Sequence, residues 1–125
     1  MPRFVILEHD WPRRHWDLML EAGGRLRTWR LTAPLAAGAE VEAEPIGDHR
    51  VHYLDYEGPV SGNRGSVVRW DQGDFEWRRN DSESVAVNLA GLRCRGTLEI
   101  MLGTRKARLV TSGFWDVPKG PEPAG

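Results

Sequence analysis

With one cysteine, Cys94, in 125 residues, the chain has no means of forming an internal disulfide. It lacks the run of about 18 apolar residues that a membrane-crossing helix needs, and it lacks a charged-then-apolar leader. A reducing cytoplasm without membrane contact is therefore expected. Charge of one sign is also missing. The 17 Lys+Arg and 18 Asp+Glu leave a formal net charge of -1, so the chain cannot hold nucleic acid as a bulk polycation, and any such contact has to be local. No segment keeps a 3.6-residue apolar period for three turns, and no internal repeat is visible, which excludes a helical bundle and a solenoid. The length suits one core rather than two. We expect a single domain over 1–116 and a disordered Pro/Gly-rich tail over 117–125, where there is almost nothing to bury.

Short apolar alternation bounded by Gly, Pro, Asn and Asp dominates, and it predicts strands at roughly 3–8, 15–21, 25–31, 66–71, 74–79, 84–90, 96–102 and 106–111. Ala22-Gly23-Gly24, Asp71-Gln72-Gly73 and Met101-Leu102-Gly103-Thr104 read as hairpin turns. Segments 32–48 and 57–65, punctuated by Pro34, Pro45, Gly58, Pro59, Gly62 and Gly65, read as surface excursions, and 49–56 as room for one helical turn. The fold class that follows is mainly β: a single-domain β-barrel or strongly curved antiparallel sheet with one or two short helices.

All four histidines, His9, His15, His49 and His52, fall in the first 52 residues. In a strand starting near His15, the residues His15, Asp17, Met19 and Glu21 share one face while Trp16, Leu18 and Leu20 turn toward a core. The intervening loop with Pro12 can bring His9 back beside His15 and Asp17. Two imidazoles and a carboxylate with open positions suit a divalent transition metal such as manganese, zinc or iron, although a His-x-Asp pair on a strand is more often a solvated or hydrogen-bonded face. Trp11, between two of these residues, is placed to stack on a base or sugar, whereas Trp16, Trp29, Trp70 and Trp115 read as core or rim. Local bases near this stretch are Arg13, Arg14, Arg30 and Arg50, with Arg64 and Arg69 further along. Cys94 sits between Arg93 and Arg95, whose charge favours a thiolate, but no His adjoins it in sequence to make it a nucleophile.

Phe4-Val5-Ile6, His9-Asp10, Arg13, His15-Trp16-Asp17 and Leu20-Glu21 resemble the opening signature of the 3'-phosphoesterase domain of bacterial ATP-dependent DNA ligase D. A longer stretch, Asp48-His49-Arg50-Val51-His52-Tyr53-Leu54-Asp55-Tyr56-Glu57-Gly58, is similar to that family's Asp-His-x-x-x-Tyr-x-x-Phe-Glu-Gly segment, and the likeness extends over about 3–115. The resemblance implies that His9, His15 and Asp17 are manganese ligands and that His49 and Tyr53 are the active-site pair contacting phosphate. It also implies an enzyme that trims DNA 3' ends, removing a terminal ribonucleotide and then the 3'-phosphate, beside other repair proteins. Tyr53 lies four residues beyond His49, so one helical turn would set both on one face. Arg13, Arg50 and Trp11 are the expected contacts to the DNA or RNA/DNA 3' end, and the chain is expected to be monomeric.

The resemblance breaks where the family carries polar or cationic groups. Leu7 and Met19 stand where it has Gln and Arg, and Ala33 and Val41 fall near its Lys and a further Arg. An apolar Met19 cannot supply the forked, charge-assisted contact that an Arg gives a phosphate. Three functions stay open at this point: a metal-dependent phosphoesterase for nucleic-acid 3' ends, a non-catalytic module binding a metal and a nucleic-acid end, and a phosphoesterase for a different small phosphate ester.

Overall fold

The first three strands arise from alternation plus one tight turn. β1 (Arg3–His9) and β2 (His15–Ala22) run antiparallel with Phe4 opposite Leu20 and His9 opposite His15. β3 (Arg25–Leu31) then returns along β2 through Gly23 and Gly24, at φ 59° and 79°, where a residue with a Cβ would be strained. The computed structural model describes residues 1–111; the tail expected over 117–125 and the position expected for Trp115 lie outside the described residues.

Segment 32–48 is not wholly an excursion: its second half belongs to β4 (Glu40–Arg50), paired with β3. Alternation of Glu40, Glu42 and Glu44 with buried Val41 and Ala43 marks this strand. From sequence alone Pro45 speaks against a strand here. The proline is tolerated because β9 (Lys106–Val110) pairs with β4 only at Glu40–Glu42, so Pro45 owes no ladder bond on its far side.

Among the described residues β5 (Gly58–Pro59), β6 (Ser66–Asn80), β7 (Ser84–Gly91) and β8 (Arg95–Met101) complete a nine-stranded sheet in the order β1-β2-β3-β4-β9-β8-β7-β6-β5. β1 also pairs with β6, so the strongly curved antiparallel sheet curls into a ring. A one-turn 3-10 helix, Val51–Leu54, falls where a helical turn was expected.

β6 corrects the second reading. Asp71-Gln72-Gly73 is no hairpin turn but the middle of one long strand that passes from β1 to β7. The Asp71 carboxylate instead accepts backbone N–H bonds from Gln72, Leu92, Arg93 and Cys94 at 2.8–2.9 Å, so it caps the turn between β7 and β8. Gly73 serves close approach, since a Cβ there would run into the Ala90 carbonyl.

Two apolar clusters flank the β1–β3 region. Inside the ring, Phe4, Ile6, Leu18, Leu20, Trp29 and Leu31 pack with Phe75, Val87, Leu89, Leu98 and Ile100, and the half-buried Trp16 and Trp70 lie against them. On the other face, Val5, Leu7, Met19 and Leu26 are covered by Leu54 and Val67, with Tyr53, Tyr56 and Val60 at the margin. This second cluster holds the 51–60 segment over β1 and β2, and it creates the cleft described next.

Candidate functional site

The register of the first hairpin sets His9 directly opposite His15, and alternation along β2 brings Asp17 to the same face. His15 and Asp17 are buried, at 5% and 3% exposure. His9 Nδ1 lies 3.9 Å and His15 Nε2 3.3 Å from Asp17 Oδ2, and one donor atom from each of the three residues falls within 4.8 Å of the others. The two imidazoles meet edge-on with ring centroids 4.9 Å apart.

Backbone carbonyls fix which nitrogen of each ring is free. His15 Nδ1–H donates to the Arg13 carbonyl at 2.7 Å, and His9 Nε2–H donates to the Arg64 carbonyl at 2.8 Å. A carbonyl can only accept, so the opposite nitrogens, His15 Nε2 and His9 Nδ1, present lone pairs on the Asp17 side. This is the arrangement by which metal-binding histidines are usually oriented. Among the described residues His15 Nε2 and Asp17 Oδ1 are both buried without a hydrogen-bond partner, and a cation satisfies such a donor set. The residues fit a divalent transition metal.

Above them opens a cleft of about 350 Å³. Leu7, Met19 and Val67 form its floor, while His9, Asp17, Trp11, Arg50, His49 and Tyr53 line it. His49 is the penultimate residue of β4, opposite Leu26, and its Nδ1–H donates to the Gly47 carbonyl at 3.0 Å, leaving Nε2 free. The Tyr53 ring stands edge-on to His49 with centroids 5.6 Å apart. The pair meets by a different route from the one expected. His49 lies in a strand and Tyr53 in the 3-10 turn, which buried Leu54 anchors in the second cluster. The His52 ring lies against Tyr53 with centroids 4.2 Å apart, tilted by 38°.

Trp11 is 43% exposed at the mouth of the cleft. Arg13 is the expected contact that the structure does not bring to the cleft lining; it enters the site through its carbonyl. Glu8 pairs with Arg14, and Asp10 Oδ1 accepts the Ser66 N–H at 2.8 Å, so neither carboxylate orients His9. Val41 is buried in the ring interior and Ala33 packs against that core, so neither lines the cleft.

Arg30, Asp48 and Arg64 carry more of this cleft than their sequence context suggests. Arg30 lies opposite Asp17 on β3, its Nε 3.9 Å from Asp17 Oδ1. The signal was the two-glycine turn. Once Ala22 pairs with Arg25 across it, counting back along both strands pairs Asp17 with Arg30.

Cys94 behaves opposite to what its flanking arginines suggest. Burial, reinforced by the neighbouring Asp71 carboxylate, pushes the thiol from 9.0 up to about 12, and Arg93 offsets this only in part.

Comparison with known proteins gives the family. The family model described as DNA Ligase D 3'-phosphoesterase domain matches residues 7–102. The multifunctional non-homologous end joining DNA repair protein LigD of Mycobacterium tuberculosis is 32% identical over 102 residues, covering 74% of this chain and 13% of that protein. The multifunctional non-homologous end joining protein LigD of Pseudomonas aeruginosa is 32% identical over 76 residues (57% of this chain, 9% of that protein). Its Mycolicibacterium smegmatis counterpart is 33% identical over 79 residues (59% and 10%). The chain thus spans a small fraction of the length of these curated relatives.

Proposed function

Because this chain belongs to the DNA ligase D 3'-phosphoesterase domain family, we propose that it is a metal-dependent phosphoesterase that trims nucleic-acid 3' ends during DNA end joining, removing a terminal ribonucleotide and the 3'-phosphate. The observation that carries this reading is the pre-aimed donor set: His9 Nδ1, His15 Nε2 and the Asp17 carboxylate converge, with the far side of each ring locked to a carbonyl. These three residues would hold a divalent ion, manganese by family likeness. Such an ion neutralises phosphate charge and polarises a phosphoryl oxygen.

The remaining residues supply recognition and proton handling. A phosphate seated above Asp17 meets His49 Nε2 and the Tyr53 hydroxyl from the opposite wall. In hydrolysis of the 3'-phosphate, water adds to phosphorus and gives up a proton, the bond to the 3' oxygen breaks, and the leaving oxygen takes a proton. A protonated His49 is suited to provide it, and Gly47 holds its ring in place. Tyr53 donates a hydrogen bond to a phosphoryl oxygen, and the exposed Trp11 offers a face for the terminal base or sugar.

The apolar floor of Leu7 and Met19 favours a second reading, a module that holds a metal and a nucleic-acid end without turnover. One experiment separates them. Purified protein with manganese is incubated with a DNA primer–template ending in a 3'-phosphate or a single ribonucleotide, and separately with an aryl phosphate. End trimming is the expected result. Binding without product points to the module, and product from the aryl ester alone points to a different small substrate.

A further inference from the structure

Asp17 and Arg30 face each other across the β2–β3 ladder. Arg30 Nε stands 3.9 Å from Asp17 Oδ1, within ion-pair range but too far for a hydrogen bond, and each of these atoms is buried with no hydrogen-bond partner among the described residues. The arginine side chain as a whole keeps 40% of its surface and lines the cleft that His49 and Tyr53 also line. Burying a guanidinium N–H without a hydrogen bond is costly, and the distant Asp17 carboxylate offsets that cost only in part, so an anion arriving in the cleft has an unused donor to meet.

Other cations near the cleft are less suited. Arg64 is engaged with Ser61, Nε to its carbonyl at 2.6 Å and Nη2 to its hydroxyl at 3.2 Å. Arg50 is on the exposed rim, and Arg13 does not line the cleft. Arg30 is rooted beside the metal-site carboxylate. A planar fork there matches two oxygens of a tetrahedral phosphate, in the space between Asp17 and the His49–Tyr53 wall.

Resting on the proposed function, we infer that Arg30 is the phosphate-gripping cation of this cleft and makes the chain selective for a terminal phosphomonoester over a 3'-hydroxyl. It reaches the phosphate from β3, whereas Met19, on β2 two ladder positions further from the ion, leaves the floor apolar. The charge is relocated to the neighbouring strand rather than lost.

The test measures binding of manganese-loaded protein to a DNA duplex ending in a 3'-phosphate and to the same duplex ending in a 3'-hydroxyl. A His49→Ala background keeps the phosphate from being consumed. Arg30→Met retains the buried stem and removes the fork; Arg30→Lys retains the charge. Arg30→Met is expected to lower the preference for the phosphorylated end by about tenfold or more, with Arg30→Lys intermediate and metal content unchanged in both. A preference that survives Arg30→Met overturns the inference alone. Loss of metal from Arg30→Met also overturns it, because the residue would then serve Asp17 rather than substrate. A protein that shows no preference for the phosphorylated end as His49→Ala and no trimming of that end as wild type overturns the proposed function and this inference together.

Discussion

His9 and Arg64, 55 positions apart, are joined by a 2.8 Å hydrogen bond from the ring Nε2–H to the carbonyl. The loop before β6 thereby decides which nitrogen of His9 faces Asp17. On the proposed metal site, affinity would thus depend on a loop that contributes no ligand of its own.

Gly65→Ala tests that dependence. Gly65 has φ 72°, and a Cβ there would lie 2.6 Å from the Trp11 Cβ and run into Asp10 Oδ1. The loop must shift, and the Arg64 carbonyl shifts with it. Manganese affinity, measured by competition with a chelator, should fall about 10–100-fold, the usual cost of losing an outer hydrogen bond to a ligating histidine. Unchanged affinity would show that the carbonyl is dispensable.

Metal holding and turnover should separate between the two sides of the cleft. His15→Ala and Asp17→Ala are expected to abolish retention of the ion through gel filtration. His49→Ala should retain it while turnover on a 3'-phosphate end falls by at least about 10²-fold, the scale for losing a general acid. Full metal content in both ligand variants would mean the donors are misassigned.

The triad was legible because its geometry is local. Period-two alternation sets His15 beside Asp17, and a short loop brings His9 opposite His15. Arg30 needed one more step, the register across Gly23-Gly24, which composition does not display. β4 was obscured by Pro45, whose tolerance depends on how short a partner β9 is. Asp71 misled for a similar reason. Asp followed two residues later by Gly is turn chemistry, but the turn it stabilises is 21–23 residues away, and Gly73 is there for a neighbouring strand. Meaning that resides in long-range contact cannot be read from a local window.

Asp71→Ala is accordingly expected to be among the more damaging single changes outside the site. It strips the N–H groups of Leu92, Arg93 and Cys94 of a buried carboxylate. At about 1–3 kcal/mol for each unsatisfied group, partly relieved by water, the loss should reach about 3 kcal/mol or more in urea unfolding. Manganese binding by the remaining folded protein should be unaffected, since the turn lies outside the cleft.

Cys94 gives a readout of folding. With its thiol pushed up to about 12, the folded chain should not react with an aromatic disulfide reagent at pH 8, and reaction should follow the urea transition. The sign for stability follows from the raised value. Burial of the neutral thiol favours the fold below the ordinary thiol range, and that contribution is lost as pH rises toward about 12. Rapid labelling of folded protein at pH 8 would contradict the buried placement.

The last prediction concerns Met19→Arg, the change that family likeness suggests as a simple restoration of a phosphate contact. Met19 is 1% exposed and packs with Val5, Leu7, Leu26, Leu54 and Val67 beneath the cleft. It pairs with Thr28, two positions from Arg30 on the same face of β3. A guanidinium introduced there loses its hydration among apolar side chains, and it meets a like charge instead of the carboxylate, which Arg30 already adjoins. The variant should lose about 2–3 kcal/mol of stability. It should gain little or nothing in affinity for a 3'-phosphate end while Arg30 is present. Denaturation in urea and binding of the phosphorylated duplex, measured on the same preparation, check both halves. A stable Met19→Arg protein with clearly tighter binding would show that the floor accepts a cation and that Arg30 does not already occupy that role.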